Sequence, residues 1–482
     1  MHSARTSLFM KVGFVSLGCP KNLVDSEVMM GQLAARGHEL TTHPDQADVL
    51  VVNTCSFIDP AKQESVNTIL EMAEYKKVGR AQRLVVAGCL VERYRGDIRK
   101  DMPEVDAIIG TNEVERIVEV CEGIDSPLAD NAPYLYHDLT PRILATPRHF
   151  AYMKIAEGCD HPCTFCVIPQ YRGKFRSRRF ESVISEATRL FSQGVREINL
   201  IGQDTTCYGE DFGLKDGLAQ LLGRLAQIET PQPKWVRFLY AYPNKVTQKL
   251  LDTIAEHRDL VKYIDMPLQH ASAPVLKRMK RGASGDIFLK LIERIRRTIP
   301  DVAIRTSFIA GFPGETQADF ETLCQFVEAA QLDRLGVFSY SDEDTSGSYA
   351  LDGKVDGRTI ANRKRSLMAI QRRISRAKNR RMIGREVAVL VEGRSPDTDL
   401  LWQARMSTQA PEIDGTVLIN DFEGAEPAPG QMRLLKITES HDYDLIGTLL
   451  APDDVTRAIP GAHAPVLVHI APALPRNAPA YV

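Results

Sequence analysis

Gly158–Gly173 reads GCDHPCTFCVIPQYRG, and its three cysteines, Cys159, Cys163 and Cys166, lie within eight residues. In a C-x-x-x-C-x-x-C run each thiolate can reach one iron of a cubane cluster, leaving the fourth iron open to a small molecule. The competing reading is zinc. Structural zinc takes four closed N/S ligands, usually in separated pairs, and only His161 stands near enough to be the fourth. A disulfide fits less well, because three thiols cannot all pair and the opening MHSARTSLFMKVGFVSLG has no apolar run long enough for a secretory signal. The stretch directly follows an apolar segment, Tyr152–Ala156, that reads as a strand. Its cysteines therefore belong at the carboxyl end of a sheet, where βα barrels build their sites.

Downstream the same rhythm repeats. Further strands are expected at Glu197–Ile201, Val236–Tyr240, Tyr263–Met266, Ala303–Ile309 and Arg334–Ser339, with helices such as Glu181–Gln193, Lys245–Glu256, Asp286–Thr298 and Gln317–Ala330 between them. Six βα units are too few to close an eight-stranded barrel, so an open, partial one is expected. Upstream, short strands (Val12–Leu17, Val49–Asn53, Leu84–Ala87, Ala107–Ile109) alternate with helical patterns (Asn22–Arg36, Pro60–Lys76), which argues a separate parallel α/β domain. Cys19, Cys55 and Cys89 each stand just after one of these strands. In a parallel sheet such positions gather along one edge, so they form a second candidate triad. A single cysteine there is usually a small buried hydrophobe; Cys121, Cys207 and Cys324 are read that way or as surface residues.

The chain divides on this reading into an α/β domain (10–124), a proline-bearing linker (125–147), the partial barrel (148–357), a basic helical connector (358–385), a five-stranded β-barrel (386–450) and a flexible tail (451–482). Strands of the small barrel are expected at Val387–Glu392, Leu401–Arg405, Val417–Asn420, Met432–Ile437 and Asp444–Leu449. A net charge of -2, 44% hydrophobic and 25% charged residues describe an ordinary globular protein with no membrane segment, expected in the cytoplasm.

The central cysteine spacing, with Phe165 before its last cysteine, resembles the radical S-adenosylmethionine superfamily. With GCPKNLVDSE at Gly18–Glu27, the chain from about residue 11 to 450 resembles the methylthiotransferase family. That family has a cluster-bearing N-terminal domain, a radical S-adenosylmethionine domain and a C-terminal TRAM domain. Pro20-Lys21-Asn22, Asp160-His161 and the segment from Ala410 to Gly415 are similar to its ribosomal-protein branch, the RimO type, more than to the transfer-RNA branch, the MiaB type.

The resemblance implies two [4Fe-4S] clusters, one on Cys19, Cys55 and Cys89 and one on Cys159, Cys163 and Cys166. It implies S-adenosylmethionine as both radical source and methyl donor, and an electron donor such as a flavodoxin or ferredoxin. The implied reaction places a methylthio group on the β-carbon of an aspartate in the twelfth protein of the small ribosomal subunit. The alternatives are a transfer-RNA adenosine as substrate, or a cluster-bearing ribosome- or RNA-binding protein without catalysis. Cofactor contacts are expected from Gly202, Gln203 and Asp204 after the second barrel strand, from Gln269 and Arg305 at neighbouring strand ends, and from Gly311, Pro313 and Gly314, where missing side chains let backbone approach an adenosine. The small barrel is acidic, with Glu412, Asp414, Glu423 and Glu426 among its carboxylates, and suits a basic protein partner. Glu412 and Asp414 are expected to point outward from a turn. The connector Arg358–Arg385 is the candidate for a ribosomal RNA contact.

Overall fold

The structure, a computed structural model, describes residues 9–124 and 134–452. These fall into two compact units. The first takes the chain up to Thr146 together with Ile168–Lys174, and the second takes Pro147–Val167 and the chain from Phe175 onward. Residues 125–133 of the expected linker, and the expected tail from 453, lie outside the described residues.

In the first unit, β1 (Lys11–Ser16), β2 (Glu39–Thr41), β3 (Val49–Thr54), β4 (Arg83–Gly88) and β5 (Ala107–Ile109) pair in parallel, in the order β2-β1-β3-β4-β5. β3, VLVVNT, is buried along its whole length, as strands covered on both faces are. Strand order reverses at β1, so the crevice outside the carboxyl ends of β1 and β3 is the switch point where doubly wound sheets bind ligands. Helices α1 (Pro20–Arg36), α2 (Asp59–Val78), α3 (Cys89–Asp101) and α4 (Ile117–Cys121) complete the layers. β2 adds to the expected strands: only Thr41 of its three residues is buried, too little for an alternation to be read.

Residues 134–146 are not a free linker. Arg142 donates to the buried Glu27 of α1 at 2.6 and 2.9 Å, and the Ala145 N–H donates to the same carboxylate at 2.7 Å. The segment presses so closely that a Cβ on Gly31 would lie 2.4 Å from the Pro141 carbonyl. Helix α5 (Ile168–Arg172) also belongs to this unit.

The second unit begins with β6 (Phe150–Lys154) and a short antiparallel pair, β7 (Ala156–Glu157) and β8 (Arg176–Ser177). β9 (Glu197–Ile201), β10 (Trp235–Phe238), β11 (Tyr263–Asp265), β12 (Ala303–Ala310) and β13 (Arg334–Ser339) follow. They form two parallel sheets, β10-β9-β6 and β11-β12-β13, joined between β10 and β11 by a bridge at Val236–Leu260 and by the Ala241 N–H on the Asp265 carbonyl. The result is the expected six-stranded partial barrel. Helices α6 (Phe180–Ser192), α7 (Gly217–Ala226), α8 (Gln248–Glu256), α9 (Ala273–Arg278), α10 (Gly285–Thr298), α11 (Gln317–Ala330) and α12 (Gly357–Arg380) accompany it.

β14 (Glu386–Ser395), β15 (Thr398–Met406), β16 (Val417–Phe422), β17 (Met432–Ser440) and β18 (Leu445–Leu449) close a barrel around Val389, Val391, Ala404, Leu435 and Ile437. This small barrel docks on the amino-terminal ends of the larger one's strands. Glu197, at the start of β9, takes Arg237 of β10 at 2.8 Å and Arg405 of the small barrel at 2.7 Å, and Arg405 also holds Glu392 at 2.5 Å. Two expectations are corrected here. Asp414 does not point outward: its side chain is 2% exposed, and it accepts from the Tyr263 hydroxyl at 2.7 Å. Glu412 keeps an exposed flank but accepts from the Tyr152 hydroxyl at 2.9 Å. Both acids serve the dock, because buried tyrosine hydroxyls need acceptors.

Candidate functional site

In the first unit, register sets the triad. Thr54 of β3 pairs with Gly88 of β4, so Cys55 and Cys89 leave adjacent strands side by side. Cys19 is the N-cap of α1 and leaves its own thiol out of the cap, and Cys89 opens α3. Two of the three thiols thus stand at helix N-termini, where exposed N–H groups favour negative charge. Gly18 and Gly88 turn the chain at φ of 87° and 96°, and a Cβ on Gly18 would lie 3.0 Å from the Cys55 sulfur. Beneath the thiols lies a buried polar layer. Asn22 donates to the Thr54 carbonyl at 2.8 Å and accepts from Arg172, while Arg172 donates to Asp25 at 2.7 Å and to the Cys89 sulfur at 3.4 Å. Burial pushes the Cys55 and Cys89 thiols up, and neighbouring cysteine charges push both further; Arg172 opposes this at Cys89.

In the second unit, the central cysteines occupy the loop after β7, at the carboxyl end of the strands. The Cys166 N–H donates to the Cys163 carbonyl at 3.2 Å, and Thr164 is tied to the Arg278 and Met279 carbonyls at 2.9 and 3.2 Å. Burial raises the Cys159 thiol to about 11; the His161 N–H opposes this, while Asp204 and Cys163 add to it. His161 Nε2 lies 2.6 Å from Asp204 Oδ2 and stacks on Tyr242 at 3.7 Å. Cys207 donates to the same Asp204 oxygen at 3.1 Å. Although His161, Asp204 and Cys207 bring three ligand-type atoms together, tetrahedral ligands of one zinc stand about 3.3 Å apart. The 2.6 Å separation of His161 and Asp204 is a hydrogen bond.

The other expected contacts divide. Gly202, Gln203 and Asp204 follow β9 as expected, with Gln203 donating to Glu157 at 2.5 Å. Gln269 follows β11 at φ 71°, half-buried, and its side chain makes no hydrogen bond among the described residues, so its amide is available. Arg305 is corrected: it is the third residue of β12, toward the amino end and away from the mouth, and it is committed to Asp265 at 2.8 Å. Gly311 and Gly314 have φ of 82° and 81°, but the space at their α-carbons is filled by Ile360 and Arg278, and the Pro313 carbonyl accepts from Arg278 at 3.0 Å. Backbone conformation and packing therefore account for both glycines. Asn22, Asp25, Arg172, Tyr242 and Arg281 were not expected at either triad. The available signals were the arginine six residues after Cys166 and the place of Asn22 and Asp25 within the Gly18–Glu27 stretch that follows the first strand.

None of the nine cysteines is joined in a disulfide. Buried thiols that repel one another as thiolates, with arginine N–H groups against their sulfurs, fit a group that takes thiolate ligands and lowers their charge, as an iron–sulfur cluster does. Comparison with known proteins agrees. Residues 11–110 match Uncharacterized protein family UPF0004, residues 153–327 the Radical SAM superfamily and residues 383–450 the TRAM domain. The superfamily match makes S-adenosylmethionine and an iron–sulfur cluster cofactors of the central domain. The fold is shared with the radical S-adenosylmethionine methyltransferase TsrM of Kitasatospora setae, solved with cobalamin and a [4Fe-4S] cluster (TM-score 0.52, 13% identity, 69% of this chain and 75% of that one). The ribosomal protein uS12 methylthiotransferase RimO of Solibacter usitatus is 80% identical over 96% of this chain and 99% of its own length. The enzyme of that name from Koribacter versatilis is 59% identical over 91% and 96%. Two triads at two parallel-sheet edges, in a chain this close to those enzymes, place it: the chain belongs to the RimO family of radical S-adenosylmethionine methylthiotransferases.

Proposed function

We propose that this chain methylthiolates ribosomal protein uS12 at the β-carbon of an aspartate side chain. The observation that carries the reading is the gathering of Cys19, Cys55 and Cys89 at one sheet edge, separate from the Cys159, Cys163 and Cys166 loop, in a chain 80% identical to a uS12 methylthiotransferase. Each triad would hold one [4Fe-4S] cluster. Bound there, these groups supply the one-electron chemistry and the sulfur that an unactivated C–H bond requires and no side-chain acid or base provides.

The protein's own residues hold and orient. Asp204 fixes His161 and with it the central cysteine loop. Gln269 and the turn after β9 offer polar groups at the mouth for the nucleoside and amino-acid ends of S-adenosylmethionine. Arg172 and Asn22 order the floor of the first triad. We place the enzyme in the cytoplasm, with a flavodoxin or ferredoxin as electron donor; among the described residues no helix is long and apolar enough to cross a membrane. The exposed arginines of α12 would touch ribosomal RNA. A transfer-RNA substrate is not favoured, since the relatives are named for uS12.

The test is anaerobic reconstitution followed by mass spectrometry of uS12 and transfer RNA incubated with S-adenosylmethionine and a reductant. The expected result is about eight irons per chain, falling to about four when either triad is changed to alanine, with a methylthio group gained by uS12 alone. A modified transfer RNA beside unmodified uS12 would refute the substrate. Full iron in a triad variant would refute that ligand set.

A further inference from the structure

Against the Cys163 sulfur of the central loop lies a cation, Arg281, that pairs with no carboxylate among the described residues. Arg281 is 7% exposed. Its guanidinium lies 3.6 Å from Cys163 Sγ, donates to the Pro267 carbonyl at 2.6 Å, and has its central carbon 4.2 Å from the centre of the Tyr242 ring. Among the described residues these partners are a sulfur, a neutral carbonyl and a ring. The His161 ring stands 3.7 Å from the same tyrosine, nearly parallel at 10°. Two groups that close cannot share one face, so Tyr242 is held between His161 and Arg281, and Asp204 holds His161 in turn. The guanidinium is therefore fixed as well as charged.

The first triad also has an arginine on a sulfur, Arg172 at 3.4 Å from Cys89, but there Asp25 lies 2.7 Å from the guanidinium. The same residue type brings an N–H donor with a neutralised charge to one triad and with a free charge to the other.

We propose that Arg281 sets the reduction potential of the iron–sulfur cluster on Cys159, Cys163 and Cys166, acting as a positioning residue through the Cys163 sulfur. The proposal rests on the reading of that triad as a cluster site. Reduction adds one negative charge to a cluster, and a fixed cation with an N–H aimed at a ligating sulfur stabilises the reduced form more than the oxidised one. Burial leaves that interaction poorly screened. The neutralised Arg172–Asp25 pair raises the potential less, so the central cluster is the one poised to receive the electron.

The experiment uses the full chain with Cys19, Cys55 and Cys89 changed to alanine, so that one cluster remains, reconstituted anaerobically. Its midpoint potential is read by electron paramagnetic resonance during a redox titration, and its iron content is measured alongside. Arg281→Gln should keep its iron and shift the midpoint to a lower potential, and Arg281→Lys should restore most of the shift. Tyr242→Leu, which keeps the charge but frees the guanidinium, should lie between. An unchanged midpoint in Arg281→Gln overturns the proposal. So does loss of iron in Arg281→Gln, which would make the arginine a support for the loop. A parent chain that binds no iron would overturn the triad reading itself, and the proposal with it.

Discussion

At Gly88 the last strand residue before Cys89 turns with φ of 96°, and an added Cβ would lie 2.3 Å from Asn53 Oδ1 and 2.6 Å from the Thr54 carbonyl. Non-glycine residues in such regions cost about 1–3 kcal/mol before any clash is counted. Gly96, eight residues on within α3, would meet nothing within 4 Å. Gly88→Ala is therefore expected to lower the thermal midpoint and halve the iron of the reconstituted chain, by displacing Cys89. Gly96→Ala should stabilise by about 0.5–1 kcal/mol and leave iron unchanged. Equal behaviour of the two variants in calorimetry and iron assay would refute this account of the turn.

Among the elements, α12 shows how far a charge pattern can be read from sequence. Its cations were legible as a basic stretch, but their division into faces was not. Arg363 and Lys378 turn inward, Arg363 to Glu315 at 3.0 Å and Lys378 to Asp333 at 2.5 Å, whereas Arg358, Arg365, Arg372, Arg376 and Arg380 are exposed along one helical stripe. Glu315 lies in the loop before α11 and Asp333 in the loop before β13, both far away in sequence, and they leave no local signal. Changing Arg358, Arg365 and Arg380 to glutamate should weaken association with the small ribosomal subunit and flatten its salt dependence by up to about three units of log K per log salt. An unchanged slope in a binding assay across salt concentrations would remove the RNA contact. The strands of the larger barrel were legible for the opposite reason: most are short, largely apolar runs such as Phe150–Lys154, although the charged Glu197, Arg237 and Arg305 lie buried within them. Asp414 and Glu412 were misread because a charged turn looks solvated until its tyrosine partners, on β11 and β6, are known.

At the scale of the molecule, the dock between the two barrels is electrostatic at its centre, and its pH response follows. Burial would raise Glu392, but Arg405 and His149 outweigh it and hold the carboxyl at about 2; Arg405 and Arg237 likewise overcome burial to lower Glu197. A free glutamate titrates near ~4.3, so the folded form binds these protons more weakly than the unfolded one. The stabilisation is therefore complete above that value and is lost as pH falls toward 2. Urea midpoints should drop steeply across that window, and the drop should be shallower in Arg405→Met; parallel pH profiles would refute the assignment. Removing one partner of such a buried pair costs about 3–5 kcal/mol, so Arg405→Met should also be less stable at neutral pH. The return of Ile168–Lys174 to the first unit has a temporal consequence. While the chain is being synthesised, Asp25 waits for Arg172, which emerges only after the whole central cysteine loop has been made. The first unit is thus finished late, by a segment that can arrive only once both sets of cysteines exist, so the order of synthesis delays closure of the first site until the cysteines of the second have been made.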